Sequence, residues 1–200
     1  MHREPLLYRQ LILLLWLAWA AYWIVSAVGA KATVRRESLG SRLMTIMPLL
    51  VGSALLGWHA ASGGWLGVRL WAPSLTASSI GVAALAAGMA FAVWARVHLG
   101  RNWSGQVTVK QGHELIRSGP YAFVRHPIYT GLILAVLGTA IAMGTVAAAL
   151  GTLIIAASFV LKLRREEVFM RETFPGEYQR YSARVPALIP FSGPRRSAPR

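Results

Sequence analysis

Apolar residues along this chain gather into runs too long for the core of a small soluble domain, and five of them predict helices that cross a membrane. The first covers residues 6–28, with Tyr8, Trp16, Trp19, Tyr22 and Trp23 as interfacial anchors and packing bulk. The second covers 43–61, where Pro48 and Gly52 are expected to kink the helix and His59 to hydrogen-bond near its far end. The third, 78–97, carries Gly81, Ala84, Gly88 and Ala92 at three- and four-residue steps, a stripe that lets a neighbouring helix approach closely. The fourth and fifth, 128–143 and 146–163, are separated only by Gly144-Thr145 and predict an antiparallel hairpin.

The segments between these runs fix the organisation. A linker over 62–73, with turn glycines, Trp65 and Pro73, belongs on one membrane surface. No breaker follows the fifth run before Phe174-Pro175-Gly176, so its helix is expected to leave the lipid and continue to residue 173. An amphipathic piece with Tyr178 and Tyr181 follows, then Val185-Pro186, Ile189-Pro190 and a basic tail. The first run is longer than a signal peptide's apolar core and lacks a clear cleavage pattern, so a retained span is expected. The chain is thus expected to divide into three N-terminal spans (1–97), a region of polar loop, hairpin and C-terminal helix (98–190) and a disordered basic tail (191–200). The fold class expected is all-α: five transmembrane helices, the last two a hairpin, with a cytoplasmic polar loop and a C-terminal helical extension.

Composition sharpens this picture. The chain is 55% hydrophobic, and its formal charge of +14 comes from 21 Lys and Arg against seven glutamates. In a soluble protein such a balance would suggest nucleic acid. Here the aromatics lie inside the apolar runs rather than among the basic residues, and no nucleic-acid motif occurs, so the expected partners are membrane lipids and no nucleic acid. With five spans, eighteen of the basic residues fall on one side and three on the other. The positive-inside rule then puts the N-terminus outside and the polar loop and C-terminal half in the cytoplasm. There is no cysteine, which excludes thiolate chemistry and disulfides.

The chemistry concentrates in residues 112–131, which hold two histidines, two tyrosines, two arginines, a glutamate, two prolines and three glycines between apolar stretches. His126-Pro127 is a stop: the residue before a proline avoids the helical region, while Pro127 suits the first turn of the next helix. Hairpin geometry makes this loop a neighbour of the 162–167 stretch. The pocket between them would be rimmed by His113, Tyr121, His126, Tyr129, Glu166 and Glu167. Carboxylates, loop N–H groups and aromatic faces together suit a zwitterionic cofactor with an aromatic base and a sulfonium. The plainer alternative is that Glu166 and Glu167 balance Lys162, Arg164 and Arg165 on a solvated helix end. His113 and His126, with no second ligand cluster at metal spacing, predict no metal site. No GxSxG, P-loop or GxGxxG element is present.

Gln106, His113-Glu114-Leu115-Ile116, Ser118-Gly119-Pro120-Tyr121, Arg125-His126-Pro127-Ile128-Tyr129-Thr130-Gly131, Arg165-Glu166-Glu167, Phe174, Tyr178, Tyr181 and Val185-Pro186 together resemble the isoprenylcysteine carboxyl methyltransferase family. The likeness covers about the C-terminal half, and related membrane enzymes methylate phospholipid amines. The resemblance implies an integral membrane methyltransferase that uses S-adenosyl-L-methionine and a lipid-like or prenylated acceptor. It implies cofactor contacts from Gln106, His113, Glu114, Leu115, Ile116, Tyr121, His126, Pro127, Ile128, Tyr129 and Glu166. The family's substrate-orienting arginine falls on Lys162, which keeps the charge but not the bidentate fork. Phospholipid N-methylation, and a non-catalytic scaffold or transporter, are the alternatives. Mid-span charges or inverted repeats, which a transporter would favour, are not evident.

Overall fold

The structure is a computed structural model that describes residues 4–27, 39–58, 63–100, 115–190 and 192. It is all-α, with six α-helices among the described residues: α1 (Glu4–Ala27), α2 (Leu39–Leu56), α3 (Leu75–Leu99), α4 (Pro127–Met143), α5 (Val146–Thr173) and α6 (Glu177–Ser182). Short 3-10 turns occupy Trp65–Gly67 and Gly119–Ala122. Three helices, α1, α3 and α5, are long and apolar enough to cross a membrane, and the apolar parts of α2 and α4 are shorter. The architecture is that of a multi-pass integral membrane protein.

Close approach of backbones holds α3 and α4 together. A Cβ on Gly81 would lie 2.5 Å from the Gly138 carbonyl oxygen, and one on Gly138 would lie 2.5 Å from that of Gly81. Gly88 and Gly131 form the same reciprocal crossing one step along. The seven-residue spacing on both helices repeats one contact geometry, so the two run antiparallel with Leu85, Ala92 and Ala135 sealed between them. The small-residue stripe is thus a packing device, as its spacing predicts.

α5 packs along α2 through a third such pair, Gly52 and Gly151, where a Cβ on Gly151 would lie 2.5 Å from the Gly52 carbonyl. The second predicted run differs in its bounds. α2 begins at Leu39 and ends at Leu56, where Gly57 N–H and Trp58 N–H turn back onto Ser53 and Leu55 carbonyls. His59 lies outside the described residues. Pro48 sits within α2, and the nearby Thr45 carbonyl accepts from the Ser158 hydroxyl at 3.3 Å. The hairpin of α4 and α5 forms as expected, but its arms pack mainly on different partners, α4 on α3 and α5 on α2. α1 lies parallel to α3, joined by Tyr8 to Ser79 at 2.9 Å and by the Arg96 guanidinium donating to the Ser26 carbonyl.

The linker after α2 folds over the α4–α5 turn. Leu70 N–H donates to the Gly144 carbonyl at 2.8 Å, Val146 N–H donates to Val68 at 3.0 Å, and the Trp71 indole N–H donates to the Ile141 carbonyl at 3.2 Å. Gly144 ends α4 in the left-handed region, φ 62°, and Thr145 caps α5 by accepting from Ala148 N–H. The linker and the hairpin turn therefore share one end of the bundle. The polar segment 115–131, the C-terminal half of α5 and α6 share the other.

Candidate active site

The turn before α4 is built by its glycine and prolines. Gly119 adopts φ 58°, and a Cβ there would lie 2.7 Å from the His98 ring. His98 Nε2 meets Ser118 Oγ at 2.9 Å, and its ring stacks on Tyr121 at 6.4 Å between centroids. Pro120, Val124 and Pro127 are fully buried beneath. His126 has φ −124° and ψ 61°, outside the helical region, and α4 begins at Pro127, as the dipeptide requires.

Two α5 carboxylates reach this turn. Tyr129 Oη donates to Glu166 Oε1 at 2.6 Å, and His126 Nδ1 lies 3.7 Å from Glu166 Oε2. Glu167 is engaged differently. Its Oε1 accepts from Arg125 Nε at 2.9 Å and Nη2 at 2.5 Å, with His126 Nε2 at 3.3 Å, while Oε2 accepts from Arg171 at 3.4 Å. Arg125 and Glu167 side chains are each only 11% exposed, so this pair closes a nearly dry contact between loop and helix. The plainer reading, that both acids only balance charge on a solvated helix end, is met in part by the Glu167–Arg171 pair. Glu166 instead faces α4.

An aromatic column runs from this point into the bundle. His126 stacks on Tyr129 at 5.9 Å, Tyr129 stacks on Phe159 at 5.2 Å, and Lys162 Nζ stands 5.7 Å from the centre of the Tyr129 ring. A carboxylate, stacked rings and an ammonium thus converge within two turns of α5. They fit a ligand that carries charged groups, an aromatic ring and an apolar neighbour.

The segment after α6 encloses the loop. Arg125 N–H donates to the Pro186 carbonyl at 2.8 Å, His126 N–H to Ala187 at 3.0 Å, and Thr130 Oγ1 to Leu188 at 2.7 Å. Arg125 Nη1 donates to the Ser182 and Val185 carbonyls at 3.1 and 2.5 Å. Tyr181 Oη donates to the Tyr121 carbonyl at 2.6 Å. Burial pushes the hydroxyls of Tyr121, Tyr178 and Tyr181 well above the usual phenol range, so all three stay protonated.

Of the residues singled out in the sequence, Tyr121, His126, Pro127, Ile128, Tyr129, Lys162 and Glu166 lie in one region, and Leu115 and Ile116 are half-buried where the described loop resumes. Gln106, His113 and Glu114 lie outside the described residues. Sequence reasoning missed three supports: His98 under the Gly119 turn, Arg125 as a clamp, and the irregular segment 182–188. The signals were Tyr178, Tyr181 and Val185-Pro186, which formed part of the motif but had no contact to explain them. Arg96, counted only as charge, is a buried cap. It donates to the Gly100 carbonyl at 2.8 Å and to Ser26, at the C-terminal ends of α3 and α1.

Residues 80–172 match the profile of the isoprenylcysteine carboxyl methyltransferase (ICMT) family. The protein-S-isoprenylcysteine O-methyltransferase of Schizosaccharomyces pombe is 34% identical over 100 residues, 48% of this chain and 42% of that protein. The cobalt-zinc-cadmium resistance protein CzcN of Cupriavidus metallidurans is 29% identical over 150 residues, 72% of this chain and 60% of that one. The solved structure of the eukaryotic intramembrane Ras methyltransferase ICMT shares the fold, with TM-score 0.51 and 24% identity over 79% of this chain and 55% of that one. The chain therefore spans about half the length of the relatives it matches. The matched stretch holds most of α3, the Gly119–Ala122 turn, α4 and the α5 glutamates, and over it the chain is similar to the isoprenylcysteine carboxyl methyltransferase family.

Proposed function

We propose that this chain is an S-adenosylmethionine-dependent methyltransferase of a lipid-like acceptor, a protein-S-isoprenylcysteine O-methyltransferase type of activity. The observation that carries this is the meeting of Glu166 with Tyr129 and His126, at 2.6 and 3.7 Å, across forty residues of sequence. In this reading five helices span the membrane, with the N-terminus outside and the site at the cytoplasmic face. Residues 98–190 form the catalytic region. Tyr121, His126, Pro127, Ile128, Tyr129 and Glu166 hold the cofactor, together with Leu115, Ile116, Gln106, His113 and Glu114.

The cofactor, when bound, supplies an electrophilic methyl on a sulfonium. What the chain adds is placement: Glu166 offers a carboxylate to the cofactor's polar groups, the His126–Tyr129–Phe159 column offers aromatic faces, and Glu167, held by Arg125, fixes the loop. Lys162 presents a cation toward an acceptor carboxylate, which needs no base because it already carries the attacking lone pair.

Isothermal titration of the purified full chain with S-adenosylhomocysteine tests the reading. Binding by the wild type is expected, weakened tenfold or more by Glu166→Ala and by His126→Ala. An absence of wild-type binding ends the enzyme reading, and equal binding by both variants moves the site elsewhere. Labelled methyl transfer to an S-farnesylcysteine acceptor, against phosphatidylethanolamine, decides between carboxyl and amine methylation. Lys162→Arg is expected to lower KM for the carboxylate acceptor alone.

A further inference from the structure

Two tyrosine hydroxyls of the site end are matched: Tyr129 Oη donates to Glu166, and Tyr181 Oη donates to the Tyr121 carbonyl, each at 2.6 Å. That of Tyr178 is not. The residue is only 2% exposed, and its hydroxyl, sealed from solvent, has no hydrogen-bond partner among the described residues. A buried donor left unmatched is destabilising, so its persistence calls for a reason.

The chain on either side of Tyr178 sets its place. Tyr178 N–H donates to the Phe174 carbonyl at 3.0 Å, which seats the start of α6 on the end of α5. One turn further along α6, the Ser182 carbonyl accepts from Arg125 Nη1 at 3.1 Å, while Arg125 grips Glu167 through Nε and Nη2. Tyr178 thus stands between the end of α5 and the Arg125–Glu167 pair, edge-on to the Tyr181 ring at 5.9 Å. After burial itself, Glu167 and then Arg125 act on its hydroxyl. Arg125 can only donate, so the hydroxyl proton is left without an acceptor. Glu167 has room for that proton. Its Oε1 takes both Arg125 contacts and, at 3.3 Å, His126 Nε2; its Oε2 takes only Arg171, at 3.4 Å from a side chain 50% exposed. His126 is shared, with Nδ1 3.7 Å from Glu166 Oε2. A neutral imidazole carries one N–H and cannot donate to both carboxylates. Drawing the ring toward Glu166 or a ligand therefore removes the longest Oε1 contact and leaves Glu167 short of a donor.

We propose that Tyr178 is a positioning residue: when the cofactor engages His126, the Tyr178 hydroxyl donates to Glu167 in its place. The Arg125–Glu167 brace, and the loop it holds, then keep their register while His126 serves the ligand. This inference deepens the function proposed above and rests on it. Tyr178 lies beyond residues 80–172, so α6 completes a site whose other members fall inside the family-matched stretch.

The test titrates S-adenosylhomocysteine into the full chain in detergent and measures thermal midpoints alongside. Tyr178→Phe removes a hydroxyl that has no partner, so the midpoint without ligand is expected to hold or rise, while affinity falls about fivefold. Tyr181→Phe removes a matched hydroxyl from the same helix and is expected to lower the midpoint. In a His126→Ala background Glu167 has already lost its histidine, so adding Tyr178→Phe is expected to change affinity by no more than about twofold. In the wild type the Tyr178 ring Cζ resonance, assigned through its contact with the Tyr181 ring, is expected to move downfield on titration, which decides the matter should Tyr178→Phe fail to fold. An unmoved resonance overturns the proposal, as does a Tyr178→Phe affinity equal to wild type, the result for a hydroxyl satisfied by buried water. So does a fall in midpoint as large as that of Tyr181→Phe. A fivefold loss undiminished in His126→Ala also overturns it, because the hydroxyl would then touch the ligand itself. A wild type that does not bind S-adenosylhomocysteine would instead overturn the function, so the two failures are distinct.

Discussion

The two ends of this bundle close by different means. At the far end, the linker after α2 covers the α4–α5 turn with backbone hydrogen bonds from Leu70 and Val146 and two side-chain donors, the Trp71 indole and the Arg69 guanidinium, both to α4 carbonyls. At the site end, two backbone bonds, from Arg125 and His126 N–H to the Pro186 and Ala187 carbonyls, are joined by a side-chain network: Arg125 spans Glu167 and the Ser182 and Val185 carbonyls, Tyr129 reaches Glu166, and Tyr181 reaches Tyr121. Both ends must satisfy polar groups that the helices leave over. Backbone pairing does so with little dependence on residue type and offers nothing to a ligand. The charged network does so with groups that can also recognise one, and it concentrates its stability in a few replaceable atoms.

The largest test of that contrast is Glu167→Ala. It strips the counter-charge from a guanidinium only 11% exposed, and breaking such a pair costs about 3–5 kcal/mol. A large drop in thermal midpoint and loss of S-adenosylhomocysteine binding are expected. A variant as stable as wild type would show that carbonyl partners alone hold Arg125.

Gly88→Val comes next. Its Cβ would collide with the Gly131 backbone, and overpacking of this kind costs about 1–3 kcal/mol. Because α3 and α4 connect the two ends, hydrogen exchange should rise at both. Faster exchange at the site end alone would mean that the ends are independent.

Trp71→Phe removes the bond to the Ile141 carbonyl at the far end, a loss of about 1 kcal/mol, with cofactor-analogue affinity unchanged. Weakened binding in this variant would dissolve the contrast.

The smallest effect is alkaline. The Tyr121, Tyr178 and Tyr181 hydroxyls titrate above the ordinary phenol range of about 10 because they are buried, so their contribution is fully present below about pH 10 and is lost as pH rises beyond it. The thermal midpoint should fall over that range, and Tyr181→Phe should fall less steeply, from a lower start. An unchanged slope in Tyr181→Phe would place the titration elsewhere.

Much of this molecule is legible in one dimension. Apolar runs near 20 residues report helices because hydrocarbon leaves the backbone no other partner, and α3, α4 and α5 fall within a few residues of their predicted limits. His126-Pro127 fixes the start of α4 through local sterics alone. Gly81 and Gly88 announce a close helix neighbour, since a stripe of missing side chains is itself a sequence feature.

Sequence alone could not say which neighbour fills that stripe, nor that the hairpin arms would pack mainly on α3 and α2 rather than on each other. Those choices depend on how Gly138 and Gly131 meet their partners in space. The division of labour between adjacent glutamates was equally hidden. One residue of α5 turns the chain by about 100°, so Glu166 faces Tyr129 while Glu167 meets Arg125, and only packing sets which acid meets the tyrosine and which one braces the loop. The motif marked where polar and aromatic side chains gather; the crossing of α5 over the α4 loop decided which of them meet.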